Sequence, residues 1–141
     1  MRILHVITSL QTGGAERLMV DLLPLLRDGG GNVVDLVVFN GTMTPFMGML
    51  EKKGIKIIKL SKYSNVYNPS NISRMIHYMS SYDIIHTHNT ACQLFVPVAK
   101  LLHGSKAVLV STEHNTTNRR RSKWWFKPID LWMYNQYSDS R

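Results

Sequence analysis

Short apolar runs alternate with amphipathic stretches along most of the chain. The runs RILHVIT (2–8), NVVDLVVF (32–39), IKIIKL (55–60), DIIHTH (83–88) and AVLVST (107–112) are nearly continuous in apolar residues and too short for independent helices. That pattern predicts strands covered on both faces. Between them, residues 14–28, 43–53, 70–81 and 90–103 carry apolar positions at helical spacing. The alternation predicts stacked βαβ units: an α/β, Rossmann-like, doubly wound parallel sheet with strand order about 3-2-1-4-5. Pro24 is expected to kink the first helix or shorten it by a turn. Gly29-Gly30-Gly31, Gly54 and Gly104 are expected to end the first, second and fourth helices. Beyond the fifth strand the pattern changes to STEHNTTNRRRSKWWFKPIDLWMYNQYSDSR, a basic loop leading into an aromatic helix that begins near Pro128.

The 141 residues, 44% of them hydrophobic, suffice for one domain with a core and are too few for two ordinary ones. Cys92 is the single cysteine, so no disulfide framework can form and a reducing compartment is expected. It lies in an apolar stretch and is expected to be buried. The opening run ILHVITSL is too short for a signal-peptide core, and no run reaches membrane-spanning length. A cytoplasmic protein is expected, with peripheral attachment at the inner face of the membrane as an option. Asn71-Ile72-Ser73 has the form of a glycosylation triplet but reads as a helix start.

The net charge of +8 arises from 17 Lys+Arg against 9 Asp+Glu and favours anionic partners. Its distribution sharpens the point. Arg119, Arg120, Arg121, Lys123 and Lys127 crowd together, and no acid intervenes between Glu113 and Asp130.

In open parallel sheets, ligands bind outside the carboxyl ends of the strands. Gly13 and Gly14 follow the first strand there, where bare backbone and a helix N-terminus suit a phosphate or a group of sugar hydroxyls. An ordinary tight turn is the competing reading. A dinucleotide fingerprint is disfavoured, because the G-x-G-x-x-G spacing is missing and the second strand ends in Phe39-Asn40 without a ribose-binding acid. A Walker loop is absent as well.

The fourth strand ends in His86-Thr87-His88-Asn89, and the fifth leads to Glu113-His114-Asn115. Period two puts His86 and His88 on one face. His86, His88 and His114 could be drawn as a three-histidine metal site, but such pairs on strands are common without metal, and none is expected. His86 reads as a core or rim residue, and His88 and His114 as better placed to meet substrate. His5, His77 and His103 read as structural.

Three blocks, GGAERL after the first strand, DIIHTHN at the fourth and VSTEHNT at the fifth, together resemble the N-terminal half of family 4 glycosyltransferases of the GT-B fold, from Met1 to about Tyr137. The resemblance implies a retaining transfer from a nucleotide-sugar donor to a carbohydrate or lipid-linked acceptor. It implies an acceptor-binding N-terminal domain, with the donor held by a C-terminal domain carrying a Glu-x7-Glu pair. By carry-over, His114 is the catalytic candidate, and Gly13, Gly14, Glu16, His88 and Asn115 are candidates for binding donor or acceptor. No cofactor is expected to be held permanently, and no metal.

The glutamates are Glu16, Glu51 and Glu113, no two of them eight positions apart, so the donor half that the resemblance implies is expected to be missing. The chain is expected to be an excised domain or a truncated reading frame, inactive alone. Surface polysaccharide or glycolipid assembly is the expected setting. Arg119, Arg120, Arg121, Lys123, Trp124 and Trp125, with Phe126 and Trp132, would face a membrane or acceptor. Alternatively, Ile129, Trp132 and Met133 have helical spacing and would pack on the sheet. A second function class is a non-catalytic basic module binding anionic lipid or nucleic acid through RRRSKWWFKP. The transferase reading expects no nucleic acid.

Overall fold

Five parallel strands form a single sheet in the order β3-β2-β1-β4-β5 in the computed structural model, which describes residues 1–11, 13–62 and 66–112. The strands are β1 (Arg2–Ile7), β2 (Val33–Asn40), β3 (Lys56–Ser61), β4 (Ile84–Thr87) and β5 (Val108–Ser111). The connecting helices are α1 (Gly14–Gly30), α2 (Pro45–Lys52), α3 (Ser70–Ile76) and α4 (Thr90–His103). This is a Rossmann-like, doubly wound parallel sheet with the expected strand order.

Side chains alternate across each strand and so feed two cores. Leu4 and Val6 of β1 join Phe39, Ile85, Met75, Cys92 and Val96 on the face covered by α3 and α4. Ile7 joins Leu36, Val38, Met19, Leu23 and Leu50 on the face covered by α1 and α2. Cys92 is fully buried, and burial raises its thiol pKa well above the ordinary range, so it packs as a small hydrophobe.

One helix ends at the expected glycines without being shortened at its proline, and another ends early. Pro24 lies inside α1, which runs through it to Gly30 rather than stopping a turn early. Proline removes the N–H that would bond the carbonyl four residues earlier. The Lys53 ammonium donates to that carbonyl, Val20 O, at 3.4 Å, which offsets the loss. The helix then stops at Gly31, whose φ of 63° is left-handed backbone that glycine adopts without strain. The third helix ends at Ile76 rather than at 81. Beyond it the chain tightens into three-residue turns, with Tyr78 N donating to Met75 O at 3.0 Å and Met79 N to Ile76 O at 3.2 Å.

The sequence crosses from one half of the sheet to the other between β1 and β4. At that switch point the connections leaving β1 and β4 diverge, the place where open α/β sheets bind their ligands.

Candidate functional site

The switch point is built from two loops tied to each other. Asn89, at the end of β4, accepts a hydrogen bond on Oδ1 from Thr8 N at 3.1 Å, and His88 N donates to Val6 O at 3.1 Å. Asn89 is the N-cap of α4, yet its side chain makes no cap bond there because it serves the neighbouring loop. On the β1 side, Gly13 is the N-cap of α1 in extended conformation, and no described side chain caps the helix. The first-turn amides of α1 and its positive dipole end therefore sit behind bare backbone. Gly13 and Gly14 are both exposed, and a Cβ at Gly14 would meet nothing within 4 Å. Glu16, half-buried one turn in, lays its carboxylate against Gly13.

Beside these loops lies a group of three histidines. Parallel register pairs His5 of β1 with His86 of β4, and His88 follows on the same side two residues later. The rings of His86 and His88 stack at 4.2 Å between centroids, and His5 lies 5.2 Å from His88 at an interplanar angle of 15°. His5 Nδ1 and His88 Nε2 share a hydrogen bond of 2.9 Å, and His86 Nε2 shares one of 2.7 Å with Thr112 Oγ1 beyond β5. Burial, and after it the neighbouring His86, push the pKa of His5 down to about 3. His5 is therefore a neutral imidazole at physiological pH. Its Nε2 is buried and has no hydrogen-bond partner among the described residues.

These three residues offer nitrogen ligands within 4.8 Å of one another, close enough in distance for a divalent cation. The ring planes are inclined to one another by 15°, 27° and 36°, and a cation there would have to displace the hydrogen bond that His5 Nδ1 and His88 Nε2 share. The arrangement instead forms a hydrogen-bonded brace between β1, β4 and β5. Gln93 of α4 extends it, donating from Nε2 to Ser111 Oγ at 2.7 Å.

The structure thus brings Gly13, Gly14, Glu16 and His88 to one edge of the sheet. His88 is buried there behind His5 rather than exposed. His114, Asn115, Arg119, Arg120, Arg121, Lys123, Trp124 and Trp125 lie outside the described residues. His5, read from the sequence as structural, is buried and forms part of this brace. Its signal was available in the strand order: with β1 beside β4 in parallel, position 5 falls level with position 86. Among the described residues no helix is long and apolar enough to cross a membrane.

The chain matches Glycosyltransferase Family 4 over residues 12–139. It belongs to glycosyltransferase family 4. Among solved structures, this family 4 chain is similar to Anabaena HepE in complex with UDP and glucose, with 17% identity, 97% of this chain and 36% of that chain covered, and a TM-score of 0.72. It is also similar to the lipopolysaccharide outer core galactosyltransferase WaaB in its apo form, at 14% identity, covering 97% of this chain and 39% of that one, TM-score 0.66. A third similar fold is UDP-GlcNAc 2-epimerase from Neisseria meningitidis bound to UDP-GlcNAc, at 14% identity, 97% and 39% coverage and TM-score 0.66. At these identities the likeness is one of fold. The family 4 chain spans about a third of the length of HepE. No curated protein matches it.

Proposed function

We propose that residues 1–141 are the N-terminal, acceptor-binding domain of a retaining hexosyltransferase that uses a nucleotide-sugar donor in surface polysaccharide or glycolipid assembly. One observation carries the reading: in a family 4 chain, an uncapped Gly-Gly helix start opens on the carboxyl edge at the switch point of the sheet. The solved neighbours named with UDP, UDP-GlcNAc and lipopolysaccharide support a nucleotide-sugar donor and a glycolipid setting.

In this proposal the amides at Gly13 and Gly14, with the dipole of α1, stabilise charge on the departing diphosphate. Glu16 lies against Gly13 in the structure described and would swing aside for an anionic ligand. His114 would hydrogen-bond the reacting sugar, with His88 and Asn115 as polar neighbours along the acceptor wall. The transfer breaks the bond from the anomeric carbon to diphosphate and forms one to an acceptor hydroxyl, whose proton leaves with the diphosphate. Backbone dipoles and basic side chains neutralise the leaving group, so the transfer itself requires no metal. A donor-binding domain completes the cleft, because rate depends on fixing both substrates in near-attack geometry.

Nucleotide release across a panel of nucleotide-sugars tests the reading, for this chain alone and fused to a family 4 C-terminal domain. Turnover is expected in the fusion and not in the chain alone, and His114→Ala should abolish it. Steady turnover by the 141-residue chain would overturn the need for a second domain. A fusion that is inactive with every donor would overturn the transferase assignment.

The basic, aromatic stretch Arg119–Trp125 favours a second property, peripheral attachment to an anionic membrane at the cytoplasmic face. Co-sedimentation with anionic vesicles and not with neutral ones is the expected result. Equal binding to both, or none at low salt, would remove it.

A further inference from the structure

We infer that Asn89 is a positioning residue: its side-chain oxygen takes the place of the last main-chain rung between β1 and β4, and so sets the start of the loop that presents the Gly13 and Gly14 amides. The tie rests on geometry alone. What those amides hold rests on the proposed function.

β1 and β4 run in parallel with Val6 level with Thr87, and His88 N donates to Val6 O at 3.1 Å. In a regular parallel ladder the next bond runs from Thr8 N to the carbonyl of His88. Here Thr8 N donates to Asn89 Oδ1 instead, at 3.1 Å. Asn89 is the last extended residue before α4, so from there a side chain must reach back to β1 if the ladder is to continue. A main-chain N–H can only donate, which means that the carboxamide meets Thr8 with its oxygen.

The rung matters because little else holds this stretch from the β4 side. On the β2 side, Asn40 N donates to Thr8 O at 2.8 Å, so Thr8 is bonded toward both neighbouring strands. Further along, Leu10 is fully buried in the core beneath α1 and α2. Gly13 O then accepts from Arg17 N at 3.0 Å and begins the helix. The buried residues of α1 start at Met19, so its first turn is not held by core packing of its own. No described side chain caps that turn, and open space surrounds the Cβ position of Gly14. The loop anchored at Thr8 and Leu10 therefore sets where the Gly13 and Gly14 amides stand.

Loss of one such bond shifts a local opening equilibrium by roughly tenfold, too little to unfold the domain. Catalysis is more demanding. Donors must stand where charge develops in the transition state, so a displaced loop lowers kcat before it weakens donor binding.

The test is hydrogen exchange and an amide proton–nitrogen spectrum of the 141-residue chain as wild type, Asn89→Ala and Asn89→Asp. The wild-type Thr8 amide should be protected. Asn89→Ala removes the acceptor and should speed Thr8 exchange roughly tenfold while moving the Gly13 and Gly14 signals. Asn89→Asp keeps an oxygen facing Thr8 and should restore its protection. An exposed-like exchange rate at wild-type Thr8 overturns the inference whether or not the variants fold. A folded Asn89→Ala chain with Thr8 exchange or the glycine signals unchanged overturns it as well, and so does an Asn89→Asp chain that exchanges as fast as Asn89→Ala. In the fusion to a family 4 C-terminal domain, Asn89→Ala should lower kcat about tenfold and change the donor KM by about twofold or less. An unchanged kcat per folded molecule would make the tie merely structural and overturn the positioning role. A wild-type fusion without turnover would sink the proposed function and leave the amide measurements to decide this inference, so the two failures are distinguishable.

Discussion

The two edges of the sheet bury polar side chains in opposite ways. At the amino edge the groups answer one another. Tyr82 donates to Asp35 Oδ2 at 2.7 Å, and Arg2 donates from its backbone to Asp83 Oδ2 at 2.8 Å and from Nε to Ser81 O at 2.7 Å. The Arg2 guanidinium also lies 5.4 Å from the centre of the Tyr82 ring, and Ser105 Oγ donates to Met79 O at 2.6 Å. At the carboxyl edge, the helix start at Gly13 has no described side-chain cap, and the buried His5 Nε2 has no hydrogen-bond partner among the described residues. A closed network stabilises the fold. An edge with unmatched capacity is one on which a ligand can act, and the contrast follows the general placement of sites in open α/β sheets.

The largest test of this contrast is acid. His5 has its pKa lowered from 6.5 to about 3, so between those values the unfolded chain binds a proton that the folded chain refuses. Stability contributed by neutral His5 is full above pH 6.5 and falls as the pH drops toward 3, by about 2 kcal/mol at pH 5 and roughly 5 kcal/mol at the acid limit. Urea unfolding at pH 7 and pH 5 should show this loss, and His5→Phe should reduce the difference by about 2 kcal/mol. An equal pH dependence in the two chains would mean that the carboxyl edge stores no such cost.

The amino edge should respond in stability alone. Tyr82→Phe leaves Asp35, buried at 7% exposure, without the hydroxyl that bonds it, and should cost about 1–3 kcal/mol. The Tyr82 pKa is raised above 10, first by burial and then by the bond to Asp35. Its contribution is therefore whole below pH 10 and is lost as pH climbs from there through the raised value. Alkaline unfolding of wild type and Tyr82→Phe measures it. In the active fusion, kcat/KM should not change. A drop beyond the loss of folded protein would erase the distinction between the edges.

What the sequence made legible follows the same division. Each observed strand lies within a residue or so of an apolar run, β1 at Arg2–Ile7 against 2–8 and β5 at Val108–Ser111 against 107–112, because double-sided burial writes itself locally. The switch point was legible too, since the strand order places it beside the two glycines. Relations between distant positions were not. Asp35 interrupts an apolar strand for no local reason and is explained by Tyr82, 47 residues away. The Val20 carbonyl that Pro24 leaves without its helical donor finds one in Lys53, from the next βα unit. His5 gains its role only when β4 is laid beside β1.

The smallest expected effect discriminates best. Gly14 occupies the first position of α1, does not have a positive φ, and has open space where a Cβ would stand. Gly14→Ala relieves backbone entropy in the unfolded chain and meets no clash, so stability should rise by about 0.5 kcal/mol. A glycine kept there against that gain needs another reason, and the approach of a ligand to bare backbone supplies one. In the fusion, the methyl group would stand in front of the α1 amides, and kcat/KM should fall about tenfold, equivalent to ~1.4 kcal/mol of transition-state stabilisation. Gly14→Ala and Tyr82→Phe would then form opposite pairs: one more stable and less active, the other less stable with activity intact. A chain made more stable by Gly14→Ala with kcat/KM unchanged would reduce the Gly-Gly start to an ordinary turn and leave the carboxyl edge without its clearest ligand contact.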